Sequence, residues 1–329
     1  LYKSGRNEEF MAHLKEKTAR AIISACESRK KGKLYYSVKE TEDLQCDYRK
    51  PDAYDNNLTK IRFEAEDGSE NIQIINFACH AELLGSKTKS ISADFPCYML
   101  REIEDNNKNT NALFINGAIG GMISAKEIKK VYRHELDCES YTKEYGKNLG
   151  ELANSMTNET EIAPLINVKS VPLKIKASNF VLILARLLKV LNNDVVRGEK
   201  RSVANISSEV GYLELGNKQI GAFLIPGELF PELWNGRFFT HEESATGKNA
   251  DYTVLSAMTD CTHNFVVGLC NDELGYIIPD NDFLTNEKTP YINSAKDRFG
   301  RNHYEETNST GPDTARTILR ETQNLIEST

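Results

Sequence analysis

The sequence predicts an α/β protein in which a layered, mixed β-sheet core is covered by helices. Short apolar segments bounded by turn residues alternate along the chain with longer segments that have the apolar spacing of helices. This alternation is typical of α/β layers rather than of a helical bundle or a β-sandwich. No internal repeat or low-complexity linker divides the 329 residues, so one domain over residues 1–329 is predicted.

The first half of the chain contains two predicted helices and four predicted strands. Helical spacing of apolar residues predicts a helix over about 7–29, and a cap formed by Ser92 and Asp94 predicts another that ends near Asp105. The segment 72–77 is almost continuously apolar, which is typical of a strand that is buried on both faces. The predicted strands are 33–40, 60–66, 72–77 and 112–115.

The second half continues the alternation. Two apolar segments flank Gly216-Asn217-Lys218 and predict a β-hairpin, and Gly311-Pro312-Asp313 opens the C-terminal helix. The predicted elements are a helix over 139–156, a strand over 166–175, a helix over 180–191, the hairpin strands 209–215 and 219–225, a strand over 264–269 and a helix over 312–326.

The longest apolar segment is 180–191, and it is too short to span a bilayer. Arg186 and Lys189 interrupt it. A buried or half-buried helix is therefore predicted, with a lipid-facing helix as the alternative. Accordingly, no transmembrane segment is expected, while peripheral contact with a membrane stays open.

Composition and charge restrict the kinds of partner and of metal site that the protein can have. The net charge is −7, and the basic residues 29–33 form only a short cluster, typical of a solvated helix end, so no nucleic-acid partner is predicted. The seven cysteines include no CxxC pair, which argues against both a disulfide framework and a cysteine-rich zinc site. Four Asn-x-Ser/Thr sequons do not decide the compartment in a chain rich in these residues.

Three predicted strands run directly into polar residues: His80, Glu228 and Tyr276. The strand ends of an α/β sheet are where ligands collect, because loops converge there over a rigid floor. Imidazole nitrogen and carboxylate oxygen are ordinary zinc ligands, and a vacant position for water would make such a site catalytic. Taken singly, each residue also has a structural alternative, namely a hydrogen bond, a turn or packing.

Several segments, in one order along the chain, resemble the catalytic domain of the neutral/alkaline non-lysosomal ceramidases. The resemblance is to short bacterial members without an appended C-terminal sandwich, and it spans nearly the whole chain. Its motifs are Asn76-Phe-Ala-Cys-His80, Ile91-Ser-Ala-Asp-Phe-Pro96, Phe114-Ile-Asn-Gly-Ala-Ile-Gly-Gly121, Ile225-Pro-Gly-Glu-Leu-Phe-Pro231, Asn271-Asp-Glu-Leu-Gly-Tyr276 and His303-Tyr-Glu-Glu-Thr307.

The resemblance implies a single zinc ion bound by two histidines, a glutamate and a tyrosine. His80, Glu228 and Tyr276 match the second histidine, the glutamate and the tyrosine. The first histidine belongs to a His-Thr-His-Ser-Gly motif, together with the neighbouring histidine usually given the general-base role, and this sequence has no such motif. We therefore expect an N-terminal segment upstream of Leu1 to supply both.

The resemblance also implies roles for three further residues. Tyr304 matches the tyrosine that donates to the oxyanion of the tetrahedral intermediate, and a phenol suits this role as a neutral donor. Arg49 matches an arginine that faces the substrate, the alternative being an arginine paired with a surface carboxylate. Ser124 matches a residue that can bind substrate through its hydroxyl, although 116–124 departs from the family pattern.

The activity that the resemblance implies is zinc-dependent hydrolysis of the amide bond of an N-acyl lipid, such as ceramide to a sphingoid base and a fatty acid. Departures over 116–124 and after Glu228 leave ceramide itself open. The alternatives are a hydrolase of soluble N-acyl compounds and a non-catalytic protein that binds an amphiphile or a glycan. The resemblance favours a secreted or cell-envelope location, and the 329 residues alone are expected to be nearly inactive.

Overall fold

The helices and strands follow the predicted alternation closely. The computed structural model describes residues 5–49, 52–86, 88–191, 195–197, 204–237 and 240–327. Leu1 and the 50–51 pair of the Arg49 motif therefore lie outside the described residues. The helices are α1 (Glu8–Glu27), α2 (Phe95–Asn106), α3 (Ile128–Tyr132), α4 (Cys138–Ser155), α5 (Phe180–Leu187), α6 (Pro231–Asn235) and α7 (Thr314–Glu327).

The strands include every one that the sequence predicts and several shorter ones. The longer strands are β1 (Gly32–Glu40), β3 (Asn57–Ala65), β4 (Asn71–Phe77), β5 (Thr110–Asn116), β8 (Ile166–Ala177), β10 (Ala204–Leu215), β11 (Ile220–Leu224) and β13 (His263–Val267). The shorter ones are β2 (Gln45–Asp47), β6 (Ile123–Ala125), β7 (Thr160–Ile162), β9 (Val195–Arg197), β12 (Glu228–Leu229), β14 (Tyr276–Ile277), β15 (Ala295–Lys296) and β16 (Asn302–His303).

Two mixed sheets form the centre of the molecule. The first has the order β5-β4-β3-β1-β7, in which only the β4–β5 pair is parallel. The second has the order β13-β11-β10-β8, with β9 beside β10, and only its β11–β13 pair is parallel. The predicted hairpin is the β10–β11 pair, with Leu215 opposite Ile220.

The two sheets pack face to face, and helices cover their outer faces. Ile61 of the first sheet and Phe265 of the second belong to one buried cluster between the sheets. On the other face of the first sheet, Phe77 packs with Met99 of α2 and Leu149 of α4. On the far face of the second sheet, the strands pack with α7. The predicted layered α/β architecture is thus confirmed, as helix, sheet, sheet and helix.

Two predicted helices differ in their surroundings from what their apolar content suggests. α1 has the apolar spacing that predicted it, yet none of its residues is buried, and Phe10 and Ile22 are 59% and 60% exposed. α5 ends at Leu187 rather than near 191, and its side chains are half-buried or exposed, in agreement with the half-buried helix that the sequence predicts. No helix in the described part of the chain is long and apolar enough to cross a membrane.

Candidate active site

Glu228 and Tyr276 are neighbours across a pair of two-residue strands. β12 and β14 are parallel, and their register places Glu228 beside Tyr276. The Glu228 amide donates to the carbonyl of Gly275 at 3.1 Å. Gly275 has φ +79°, and a Cβ there would lie 1.9 Å from the carbonyl oxygen of Asn308. Only glycine fits this close approach, so this position holds the Tyr276 strand in place.

His80 reaches the same place from the first sheet. It follows β4 by three residues, and its amide donates to the carbonyl of Ile123 at 2.9 Å. Its Nε2 lies 3.4 Å from Oε2 of Glu228. The structure therefore brings together three side chains that are 148 and 48 residues apart in the sequence.

The geometry of this group can be tested against the requirements of zinc. Two atoms that each lie ~2.0–2.2 Å from a tetrahedral zinc are about 3.3–3.6 Å apart, and the His80–Glu228 distance of 3.4 Å agrees. Oε2 of Glu228 is buried, and its 3.4 Å contact with His80 Nε2 is too poorly aligned for a strong hydrogen bond, which leaves the oxygen available to a cation. His80 Nε2 also lies 3.1 Å from the carbonyl of Ile119, and it must give up this contact to bind a metal.

Burial and neighbouring charges shift the pKa values of Tyr276 and His80. Burial strongly raises the pKa of Tyr276, and the neighbouring Glu228 raises it further, so the phenol keeps its proton. Burial lowers the pKa of His80, but hydrogen bonding and attraction to Glu228 outweigh this effect, and the net shift is upward. A cation at this point would favour the deprotonated forms of both groups, because metal ligands bind without their protons.

Tyr304 lies beside this group. The phenols of Tyr304 and Tyr276 share a hydrogen bond, and their rings meet edge to face with centroids 6.3 Å apart. Burial and the nearby Glu305 raise the pKa of Tyr304 to about 12, although Arg49 opposes the shift. Tyr304 therefore stays a neutral O–H donor near neutral pH, the form that can stabilise an oxyanion.

A cavity of about 780 Å³ extends to Glu228 and Tyr276. Glu228, Glu273 and Tyr276 line one part of it. The rest is lined by apolar side chains from α5, from the second sheet and from flanking loops (Leu182, Ile183, Leu187, Leu191, Ala204, Ile206 and Leu274), together with Arg186, Lys189, Asn308 and Thr310. The cavity has the size of a small-molecule site, and its wall is largely apolar with a few polar and charged groups.

Glu273 is a residue of this site that the sequence reasoning missed. It is an exposed residue on the wall of the cavity, and partial desolvation of its carboxyl together with the neighbouring Glu228 raises its pKa to about 7 despite a backbone hydrogen bond from Gly275. A carboxyl group with such a pKa can accept a proton near neutral pH. Its place three residues before Tyr276, in the loop after a buried strand, was the available signal.

Arg49 is placed in a buried ionic cluster. Its Nη2 lies 2.8 Å from Glu232 and 3.3 Å from Asp47, and its guanidinium stacks on the Phe230 ring at 4.1 Å. Gly121 leaves room for it, because a Cβ there would lie 2.1 Å from Arg49 Nε. These contacts agree with the alternative of an arginine paired with carboxylates, except that the carboxylates are buried rather than at the surface. Contact with substrate stays a prediction, since Arg49 does not line the cavity.

Ser124 is also buried. It lies in β6 opposite Cys46, is 0% exposed, and its Oγ has no hydrogen-bond partner. The hydroxyl does not line the cavity, so its predicted role in substrate binding has no support from this placement.

We expect Ser124→Ala to leave the free energy of unfolding unchanged or to raise it by about 1 kcal/mol, because it removes a buried hydroxyl that forms no hydrogen bond. Urea unfolding of the variant and the parent chain measures this difference. A loss of more than about 2 kcal/mol would show that the hydroxyl has a partner in solution, for example an ordered water.

The buried carboxyl groups beside Arg49 predict how the free energy of unfolding depends on pH. Burial raises the pKa of Glu232 from 4.5 to about 7, outweighing the attraction of Arg49. The folded chain thus keeps this proton to higher pH than the unfolded chain, so stability falls as the pH rises from about 4.5 to 7, by up to about 3 kcal/mol. Asp47, whose pKa burial raises to about 6, acts in the same direction.

We expect Glu232→Gln to weaken this dependence, since glutamine resembles the protonated carboxyl and does not titrate. Urea unfolding of both chains at pH 5 and pH 8 provides the measurement. An equally steep fall in the variant would assign the dependence to other groups.

The overall fold is similar to that of ceramidases of known structure. The neutral ceramidase from Pseudomonas aeruginosa matches 92% of this chain with a TM-score of 0.62 and 14% sequence identity. A structure described as a ceramidase complexed with C2 matches 90% of it, with a TM-score of 0.61 and 14% identity. This chain spans about half of those chains, 53% in each case. No protein-family model and no curated protein matches the sequence. The chain therefore has a ceramidase-like α/β fold.

Proposed function

We propose that this protein is a zinc-dependent hydrolase that cleaves the amide bond of an N-acyl lipid. The observation that carries the proposal is the proximity of His80, Glu228 and Tyr276, the last two of which line a largely apolar cavity. The ceramidase-like fold supports it, because two ceramidase structures share the architecture over at least 90% of this chain.

Each residue of the site has a definite task in this proposal. His80, Glu228 and Tyr276 hold the zinc, which when bound polarises the amide carbonyl and makes a water molecule acidic. Tyr304 donates a hydrogen bond from its phenol to the oxyanion of the tetrahedral intermediate. Glu273, on the wall of the same cavity, accepts a proton from the attacking water.

The shape of the cavity supports an N-acyl lipid as the substrate. An acyl chain along Leu182, Ile183 and Leu187 would replace water on an apolar surface, at about 0.8 kcal/mol for each buried CH₂ group. The amide would then lie beside Glu228. A soluble N-acyl compound with a short chain would gain little from this surface.

The experiment compares N-acyl sphingoid bases that carry acyl chains of two, six and twelve carbons. Release of the free amine is followed in the zinc-supplemented chain and in the metal-free chain. We expect slow hydrolysis that occurs only with zinc, since three residues rather than four hold the ion, and kcat/KM that rises with chain length. Equal rates for all three chains would favour the hydrolase of soluble N-acyl compounds. Tight binding of the amide without release of amine, with no bound zinc, would favour the non-catalytic binding protein.

A further inference from the structure

A second group of ionisable side chains includes Arg49 and residues that flank Tyr304 in the chain. We call it the inner cluster. Five of its carboxylates are at most 4% exposed in their side chains, and their only cationic partners within the cluster are two arginines and one histidine. Its members are Asp47, Arg49, Glu232, Asp297, Arg301, His303, Glu305 and Glu306.

The inner cluster has more buried negative charge than it neutralises. With every group ionised, the five carboxylates exceed the three cations by two charges. Burying a carboxylate without a counter-charge is costly, so such groups are paired, bind a metal or keep a proton. Asp282, 3.7 Å from Arg49 Nη1 and 13% exposed, increases the excess.

Individual carboxylate oxygens show where the negative charge of the inner cluster is not neutralised. Oε1 of Glu305 and Oε2 of Glu306 are buried, and neither has a hydrogen-bond partner. The residues themselves are 3% and 2% exposed. His303 lies beside them, with Nδ1 3.0 Å from Oε1 of Glu306. One ligand atom from each of the three residues falls within 4.8 Å of the others, the only such group of histidine, cysteine and carboxylate side chains in the part of the chain described.

We propose that His303, Glu305 and Glu306 bind a divalent cation at a site separate from the candidate zinc site. The cation takes the place of the proton between His303 Nδ1 and Oε1 of Glu306, and it engages the two unpartnered oxygens. Its double charge reduces the excess negative charge of the inner cluster. This inference does not depend on the proposed function.

The ligand set indicates the class of cation. Imidazole nitrogen together with two carboxylates suits Mn²⁺ or Zn²⁺, whereas Mg²⁺ and Ca²⁺ prefer oxygen ligands alone. The site also has a structural consequence for the candidate active site. The Tyr304 amide donates to Oε2 of Glu305 at 2.9 Å, so a cation that holds Glu305 also fixes the backbone that carries the Tyr304 phenol.

The test uses Mn²⁺ and the chain with Glu228→Gln, which removes a ligand of the candidate zinc site. Free Mn²⁺ is followed by electron paramagnetic resonance as the metal-free variant is titrated. We expect one equivalent to bind, and a dissociation constant at least about 10-fold weaker after Glu306→Gln is added. Asp43→Gln in place of Glu306→Gln is the control, since Asp43 is exposed and pairs only with Lys126 among its described contacts.

A second measurement covers the case in which the Glu306 variant does not fold. In the Glu228→Gln chain with labelled histidine, bound Mn²⁺ should broaden the ring signals of His303 before those of the exposed His13 and His241. Absence of Mn²⁺ binding, or earlier broadening of the exposed histidines, would overturn the proposal and leave protons to neutralise the cluster. A wild-type chain that lacks zinc or hydrolysis would contradict the proposed function without affecting this result.

Discussion

Glu228→Gln should weaken zinc binding and lower amide hydrolysis by more than about 100-fold. Loss of a residue that only orients a metal ligand costs about 10–100-fold, and loss of a ligand costs more. The Glu228 carboxylate meets both His80 and Tyr276, so its replacement by a neutral amide removes the central charge of the site. Zinc affinity is measured by competition with a chelator, and hydrolysis by release of the amine.

Glu209→Gln is the matched control for this change. Glu209 is exposed and accepts a hydrogen bond from the Asn271 amide at 3.2 Å, so the substitution removes the same charge near the cavity without affecting a ligand. We expect parental zinc affinity and activity in this variant. Parental zinc affinity in the Glu228 variant as well, measured in chains that also carry Glu306→Gln, would exclude Glu228 from the metal site.

Tyr304→Phe should lower turnover about 10²–10³-fold, as expected for the loss of one oxyanion donor. The variant keeps the ring that packs against Tyr276, and it loses the hydrogen bond between the two phenols. The free energy of unfolding should therefore change by only about 1 kcal/mol. KM should change little, because the lost interaction is stronger in the transition state than with bound substrate.

Tyr291→Phe provides the comparison. Tyr291 is half-buried and its ring packs against Phe180 and Phe283, contacts that phenylalanine retains. We expect parental turnover here. If Tyr304→Phe also turns over at the parental rate, Tyr304 acts in packing alone.

The architecture was predictable from the sequence where elements are long and periodic. The turn residues Gly216-Asn217-Lys218 predict the β10–β11 hairpin, and a continuous apolar segment predicts β4. β12 and β14 could not be predicted, since strands of two residues have no period. The helical spacing of α1 predicted the helix, but spacing does not reveal whether a partner surface lies nearby.

The candidate site shows a similar division. Because His80, Glu228 and Tyr276 follow buried strands, the sequence predicted that they would converge. In the structure, His80 lies 3.4 Å from Glu228, and Glu228 pairs with Tyr276. The environment of Arg49 was not predictable, because its closest carboxylate, Glu232, is 183 residues further along the chain. Only the three-dimensional arrangement shows that these charges are buried together, and that Glu305 and Glu306 keep unpartnered oxygens.

The location of zinc tests the proposed function most directly. Crystals grown with zinc, and measured on both sides of the zinc absorption edge, give the position of the ion independently of any assay. We predict an anomalous peak ~2.0–2.2 Å from His80 Nε2, from a carboxylate oxygen of Glu228 and from the Tyr276 phenolic oxygen. A zinc-dependent chain whose only strong peak lies away from these three residues would contradict the assignment.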